Sequence, residues 1–360
     1  MDVATDLALL LAGFIDEAEA SRRLDLDAGE LGPLLDAFGL SGTAMMPVGV
    51  NDKLEVLYRD MGRESFDRPL FDDVVDNLSR SARQDLRFSL GAGAILNTAS
   101  DKPPEAPAGL IFHVGRCGSN LLCNLLAQIP AVAVLREPEL LNALFLNLGA
   151  EPDRERRARL QALIPKLLRG LARGVRQDGL GRPRRCIVKF SSWNGFFGED
   201  LMKRLPHTAS VMVVRAPWET VSSYLQAPPY WYAYPPDEKG LAGAVRYFAG
   251  NWSAIIGCAL RLPAARNLIV RYDELTADPR AVLEKVCRLF GIDRTAVDGP
   301  AIGRVMQAYS KSADLEPFDP DGRHRRQELA PDLHDLVTEI TASSWAALQE
   351  RTAAAPVLRA

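Results

Sequence analysis

The chain has 360 residues, 47% of them apolar, which is enough for one large α/β domain with an added helical region or for two domains. Forty-three Lys and Arg against 46 Asp and Glu leave a net charge of −3, which argues against nucleic acid or an acidic membrane as the main partner. Five cysteines with no CxxC and four histidines with no ligand spacing argue against a disulfide framework or a metal site and fit a reducing, cytoplasmic compartment.

The first residues, Met-Asp-Val-Ala-Thr-Asp, carry acids where a signal peptide would be basic. No apolar run approaches the ~18 residues needed to span a bilayer, so no transmembrane segment is expected. Residues 1–90 are expected to form a helical N-terminal region. Leu7, Leu10, Leu11 and Phe14 share one helical face, Leu31, Leu34, Leu35 and Phe38 another, and Phe71, Val74, Val75 and Leu78 a third. Packing or acceptor recognition would be its role. Residues 91–108 are rich in Gly, Ala and Pro, and Pro103-Pro104 breaks any helix, so they read as a connector.

From residue 109 to 330 the pattern is that of an α/β domain. Apolar runs at Gly109–Val114, Val132–Leu135, Cys186–Phe190, Ser210–Arg215 and Leu268–Tyr272 predict strands. Helices are predicted over Ser119–Gln128, Glu139–Leu148, Arg154–Arg173 (with Pro165 a kink point), Phe197–Arg204, Trp218–Leu225, Leu241–Leu260 and Arg280–Phe290, the last ended by Gly291. Strands alternating with helices predict a parallel sheet flanked by helices. Residues 331–360 read as a C-terminal helix and tail. Eleven Lys or Arg against two acids from Arg154 to Arg185 are either a solvated helix face or an approach for an anion.

Two strand-to-helix turns carry the chemistry. In His113-Val114-Gly115-Arg116-Cys117-Gly118-Ser119-Asn120-Leu121, two glycines bracket Arg116 and Cys117. Glycine permits a tight turn and close backbone approach. The amides of Gly118, Ser119 and Asn120 would stand at a helix N-terminus, where free N–H groups and the helix dipole favour an anion. Arg116 could fork onto its oxygens. No Lys follows Gly118, so a Walker A loop is disfavoured. A tight turn without a ligand is the plain alternative. In Val213-Val214-Arg215-Ala216-Pro217-Trp218-Glu219-Thr220-Val221-Ser222-Ser223-Tyr224, Arg215 ends a strand, Pro217 opens the helix and Ser223 follows two turns on. Ser222 points about 100° away from Ser223 and is the alternative hydroxyl.

The first turn resembles the 5′-phosphosulfate loop of the sulfotransferases, and the second their 3′-phosphate motif, an Arg followed eight residues later by a Ser. A third segment, Val270-Arg271-Tyr272-Asp273-Glu274-Leu275 with Asp278-Pro279 and Leu289-Phe290-Gly291, resembles the "RYEDL…P…FLG" scaffold stretch of the same superfamily. The resemblance spans residues 109 to 292. It implies the P-loop NTPase-like sulfotransferase fold and the donor 3′-phosphoadenosine 5′-phosphosulfate, used without a metal. Arg116, Cys117, Gly118, Ser119, Asn120, Arg215 and Ser223 would bind the nucleotide. Cys117 stands where the family has Ser, and Asn120 where it has Thr or Ser. Leu121 stands where the cytosolic small-molecule branch has an aromatic residue, which points to the branch that modifies carbohydrates, proteins or bacterial metabolites.

Glu137, 21 residues after Arg116, lies at an offset similar to that of the family's catalytic Glu and is the candidate base. An ion pair with Arg136 or a helix N-terminal carboxylate is the plain alternative, and Glu139 the fallback. Lys189 ends a strand where the family often has a Lys that stabilises charge on the transferring group; a solvated strand-end Lys is equally ordinary. Ser191 and Ser192 are secondary candidates. Tyr224, Tyr230, Trp231, Tyr232 and Tyr234 would line an acceptor pocket or pack on the surface, and Arg323, Arg325 and Arg326 could close over the nucleotide. The reading is sulfuryl transfer to a hydroxyl of a sugar or other small-molecule acceptor, in an oligomeric state the sequence leaves open. A P-loop nucleotide kinase and a non-catalytic nucleotide-binding protein are the alternatives.

Overall fold

A computed structural model describes residues 3–27, 29–37, 40, 45–61, 66, 70–80, 86–98, 106–175, 184–229, 232, 238–293, 299–308 and 329–354. Among the described residues eight strands form two sheets. The larger is a five-stranded parallel sheet flanked by helices, built from β4 (Gly109–His113), β5 (Val132–Arg136), β6 (Arg185–Lys189), β7 (Ala209–Val214) and β8 (Asn267–Arg271) in the order β5-β6-β4-β7-β8. All five lie on the predicted apolar runs. The chain divides into two compact units, residues 1–108 with 130–188, and 109–129 with 189–360.

The first unit holds α1 (Val3–Leu11), α2 (Glu17–Leu24), α3 (Leu31–Ala37), α4 (Phe71–Arg80) and a short α5 (Ala92–Leu96), with α1, α3 and α4 on the three predicted apolar faces. It also holds three strands that the helical reading of residues 1–90 missed: β1 (Met45–Val50), β2 (Glu55–Asp60) and β3 (Arg87–Gly91), paired antiparallel in the order β1-β2-β3. The reason lies in β2. Val56 and Tyr58 are wholly buried while Glu55 and Leu57 face outward, the period-2 alternation of a half-buried strand. Tyr58 packs edge-on to Phe14 and stacks on Phe88, which ties the sheet to the helical layer. The unit is completed by α7 (Glu139–Ala150) and α8 (Arg154–Gly174), which follow β5. α8 runs unbroken through Pro165, and its Lys166 ammonium donates to Ile95 O, Thr98 O and Thr98 Oγ1 at 2.9–3.1 Å, capping α5. The basic residues at its start, Arg154 to Arg159, are exposed, with Arg156 paired to Glu151 and Arg159 to Glu155. That part of the basic stretch is a solvated face.

In the second unit β4, β7 and β8 pair in parallel, with Gly109 opposite Ala209 and Ser210 opposite Asn267. α6 (Ser119–Leu126) follows β4, and α10 (Pro217–Gln226) follows β7. A 3₁₀ turn (Ser192–Phe197) precedes α9 (Gly198–Arg204). α11 (Glu238–Leu260), α12 (Tyr272–Ala277), α13 (Pro279–Phe290), α14 (Gly299–Gln307) and α15 (Pro331–Ala353) complete it. Gly291 ends α13 at φ 62°, the predicted left-handed cap. α15 docks along α11: Ser253 and Ser344 share a 2.6 Å hydrogen bond, and Arg351 donates to Leu260 O and Leu262 O. None of the described helices is long and apolar enough to cross a membrane.

Candidate functional site

β4 is buried from end to end, and the chain leaves it through Gly115 (φ 78°), Arg116 (φ 48°) and Gly118 (φ 82°). In a turn of this kind successive backbone N–H groups can face one side and form an anion-binding concavity. α6 begins at the next residue with its first amides unpaired within the helix. Both glycines are needed for space as well as for φ. A Cβ on Gly115 would sit 1.8 Å from the Tyr224 hydroxyl, and one on Gly118 would sit 2.6 Å from the Tyr272 ring. Their missing side chains therefore admit tyrosines from α10 and from the start of α12, which pack the turn from two sides.

The second turn is bound to the first. Arg215, only 3% exposed at the end of β7, donates from its guanidinium to the Arg116 carbonyl at 3.4 Å and to Glu219 at 3.1 Å. It lies over the Tyr272 ring at 4.4 Å, the ring that abuts Gly118. Trp252 of α11 fixes the Arg215 carbonyl at 3.1 Å. Pro217 stands in the first turn of α10, as predicted. Of the two hydroxyls, Ser222 is buried and accepts from Gln226 at 3.0 Å, whereas Ser223 is half-buried. A cavity of about 230 Å³ opens beside Arg215 and is lined by Trp218, Glu219, Arg271, Tyr272, Asp273 and Trp345 as well. Its charges are matched within the wall: Arg215 with Glu219, and Arg271 with both oxygens of Asp273.

Arg116 crosses from the loop to the end of α10, donating to Ala227 O at 2.6 Å and lying over the Tyr224 ring at 5.6 Å. Lys189 is almost wholly buried at the end of β6. Its charge reaches Cys117. Burial pushes that thiol up, while hydrogen bonds from the Ser119 and Val114 backbone and the Lys189 ammonium act in the other direction. Cys117 thus behaves as a packed, inert sulfur. Ser191 caps the 3₁₀ turn in a reciprocal pair with Asn194, and Ser192 Oγ would lie 3.5 Å from a Cβ on Gly115. Asn120, in the first turn of α6, keeps a buried side-chain oxygen that has no hydrogen-bond partner among the described residues. The three cations Arg116, Lys189 and Arg215 and the open helix N-terminus suit a phosphorylated nucleotide. Among the described residues there is no cluster of three His, Cys, Asp or Glu that could hold a metal.

Glu137 belongs to the first unit. It stands between β5 and α7 at φ 51°, half-buried, with Pro138 as the N-cap of α7. Asp72 of α4 holds this turn by accepting the Glu139 N–H at 3.0 Å. Burial raises the Asp72 carboxyl to about 6, with the Glu139 and Asp76 charges adding to the rise and hydrogen bonds from the Glu139 and Asp72 backbone opposing it. The exposed Glu139 carboxylate accepts from Asn142. Tyr224 and Tyr232 pack against Phe248 of α11, and Tyr232 also stacks on Tyr247, so these two are core-facing. Tyr230, Trp231, Tyr234, Arg323, Arg325 and Arg326 lie outside the described residues. Sequence reasoning missed His113, Glu219, Trp252 and the ring of Tyr272. Glu219 stands in the first turn of α10 while Arg215 precedes that helix, so no helical spacing marked the pair in the sequence.

The model of a family described as the sulfotransferase family matches residues 110–296, just over half the chain. Among solved structures, the sulfotransferase domain of the Synechococcus PCC 7002 olefin synthase is 18% identical, with a TM-score of 0.42, covering 68% of this chain and 96% of that one. A sulfotransferase from Alicyclobacillus acidocaldarius is 16% identical at a TM-score of 0.42, over 69% and 96% of the two chains. A mouse sulfotransferase complexed with PAP is 15% identical at 0.40, over 72% and 92%. No curated protein matches the sequence.

Proposed function

The chain belongs to the sulfotransferase family, and from that premise we propose that it moves a sulfuryl group from 3′-phosphoadenosine 5′-phosphosulfate to a hydroxyl of a sugar or other small-molecule acceptor, with residues 109–330 as the catalytic domain. The observation that carries this reading is the junction of the two turns, where the Arg215 guanidinium meets the Arg116 carbonyl. A nucleotide phosphorylated at both its 5′ and 3′ ends needs two anion sites at one sheet edge, and these turns would supply them.

The residues divide the work. The amides of Gly118, Ser119 and Asn120 and the Arg116 side chain would hold the 5′ end, and Arg215 with Ser223 the 3′-phosphate. The bound donor supplies the sulfuryl group and its phosphate leaving group. Arg116 and Lys189 would neutralise charge on the transferring group, at fixed positions that need no reorganisation. Glu137 would accept the proton of the acceptor hydroxyl. Positioning and electrostatics would supply most of the rate.

Incubation of the protein with sulfur-labelled donor and a panel of sugars, phenols and alcohols tests the proposal. Label should pass to a hydroxyl-bearing acceptor without added metal. Nucleotide binding with no transfer to any acceptor would favour a non-catalytic binding protein, and magnesium-dependent phosphate transfer from ATP would favour a kinase.

A further inference from the structure

We propose that His113 is a positioning residue that sets the Gly115–Gly118 turn for its anion, acting through the hydrogen bond from the Gly115 amide to its Nδ1. This rests on the reading of that turn as a nucleotide site. His113 is the last residue of β4 and is buried. The Gly115 N–H donates to Nδ1 at 2.9 Å, and Nε2 stands 2.9 Å from the Phe190 carbonyl. An amide can only donate and a carbonyl can only accept. The ring is therefore neutral, with its proton on Nε2.

The two bonds do different things. The bond to Gly115 is a local side-chain-to-backbone ring, the kind that competes with regular structure and bends a chain at the end of an element. It stands at the point where φ turns positive, 78° at Gly115 and 48° at Arg116. The bond to Phe190 reaches the residue after Lys189, whose segment is also held by the Phe190 N–H on Ile111 O at 3.0 Å. One imidazole thus references the turn that bears Arg116 to the strand end that bears Lys189, and both cations are assigned to the same transferring group. An apolar residue would fill the strand position but leave the Gly115 amide without this acceptor.

Two substitutions separate the bonds. Asn places an amide oxygen close to where Nδ1 stands and can still accept from Gly115. Gln places an amide nitrogen close to Nε2 and can still donate to Phe190. Binding of 3′-phosphoadenosine 5′-phosphate and of AMP is measured by calorimetry for wild type, His113→Asn and His113→Gln, with thermal melts alongside. The Gln variant should lose about three- to tenfold in affinity for the bisphosphate, the worth of one neutral hydrogen bond. The Asn variant should keep clearly more than the Gln variant, at a comparable melting temperature. Nitrogen NMR of the wild-type ring should show an unprotonated Nδ1 and a protonated Nε2. Equal affinity in the two variants, or a protonated Nδ1, overturns the role of His113 while leaving the nucleotide site standing. A wild-type protein that binds the bisphosphate no better than AMP overturns the nucleotide reading and this inference with it.

Discussion

The turns after β4 and after β5 perform the same geometric task with different residues. Each ends a buried strand and begins a helix. After β4 the left-handed positions fall on Gly115, Arg116 and Gly118, so two of the three carry no Cβ penalty. After β5 the single left-handed residue is Glu137, and a non-glycine there costs roughly 1–2 kcal/mol. Four non-glycine residues have positive φ among those described: Asp25, Leu54, Arg116 and Glu137. Asp25 is the C-cap of α2 and Leu54 ends the turn between β1 and β2, both ordinary places for it. Arg116 and Glu137 are the candidates for charge stabilisation and proton transfer. A strained position that keeps a charged side chain where glycine would be easier points to a use for that side chain.

Glu137 separates the two turns most sharply. Glu137→Gln keeps size and hydrogen bonding but cannot accept a proton, and loss of a positioned base typically costs about 10²–10⁴ in rate. Turnover should fall by that factor with nucleotide affinity preserved, while Glu139→Gln, whose carboxylate is engaged by Asn142, should change little. An active Glu137→Gln beside a dead Glu139→Gln would move the base to the other side of Pro138.

Gly115→Ala probes the turn after β4. The new Cβ would meet the Tyr224 hydroxyl at 1.8 Å, and φ 78° strains any Cβ-bearing residue. Tyr224 is not free to swing, because its ring stacks on Phe248 at 4.5 Å. A loss of about 2 kcal/mol or more in stability is expected from strain and displacement together, read from denaturant unfolding, with nucleotide affinity lost in parallel. Tyr224→Phe in the same chain should recover part of it. An unperturbed Gly115→Ala would mean the turn is looser than its geometry.

The smallest effect concerns the clamp on the turn after β5. With its carboxyl raised to about 6, Asp72 is protonated more readily in the folded chain than in the unfolded one. Its contribution to stability is therefore fullest below the unfolded value near 4 and is lost as pH rises through about 6. Asp72→Asn keeps an acceptor for the Glu139 N–H and carries no charge. Its melting temperature should exceed wild type above pH 6, by an equivalent of about 1 kcal/mol or less given the partial exposure, and the gain should vanish below pH 4. A gain independent of pH would mean that the charge of Asp72 is irrelevant.

The parallel strands were legible because each is a short apolar run closed by a turn residue, and the two strand-to-helix turns proposed as anion sites because their glycines, arginines and serine keep family spacing. The N-terminal sheet was not. β1 contains Pro47 and Gly49, which weaken a strand reading, and the alternation of β2 is only a few residues long. Tyr272 read as scaffold at a strand end, yet its ring packs against Gly118 and Arg215 together. His113 read as one more strand residue. These contacts arise when segments distant in sequence meet, and no local period records them.

In the proposed site the two turns hold the two ends of one nucleotide. Calorimetry with 3′-phosphoadenosine 5′-phosphate and AMP, on wild type and Arg215→Ala, tests it directly. A charge-assisted contact set is worth roughly 1.5–3 kcal/mol, so wild type should prefer the bisphosphate by about 10–100-fold and Arg215→Ala should erase most of that gap. Equal affinity of the wild-type protein for the two nucleotides would contradict the account.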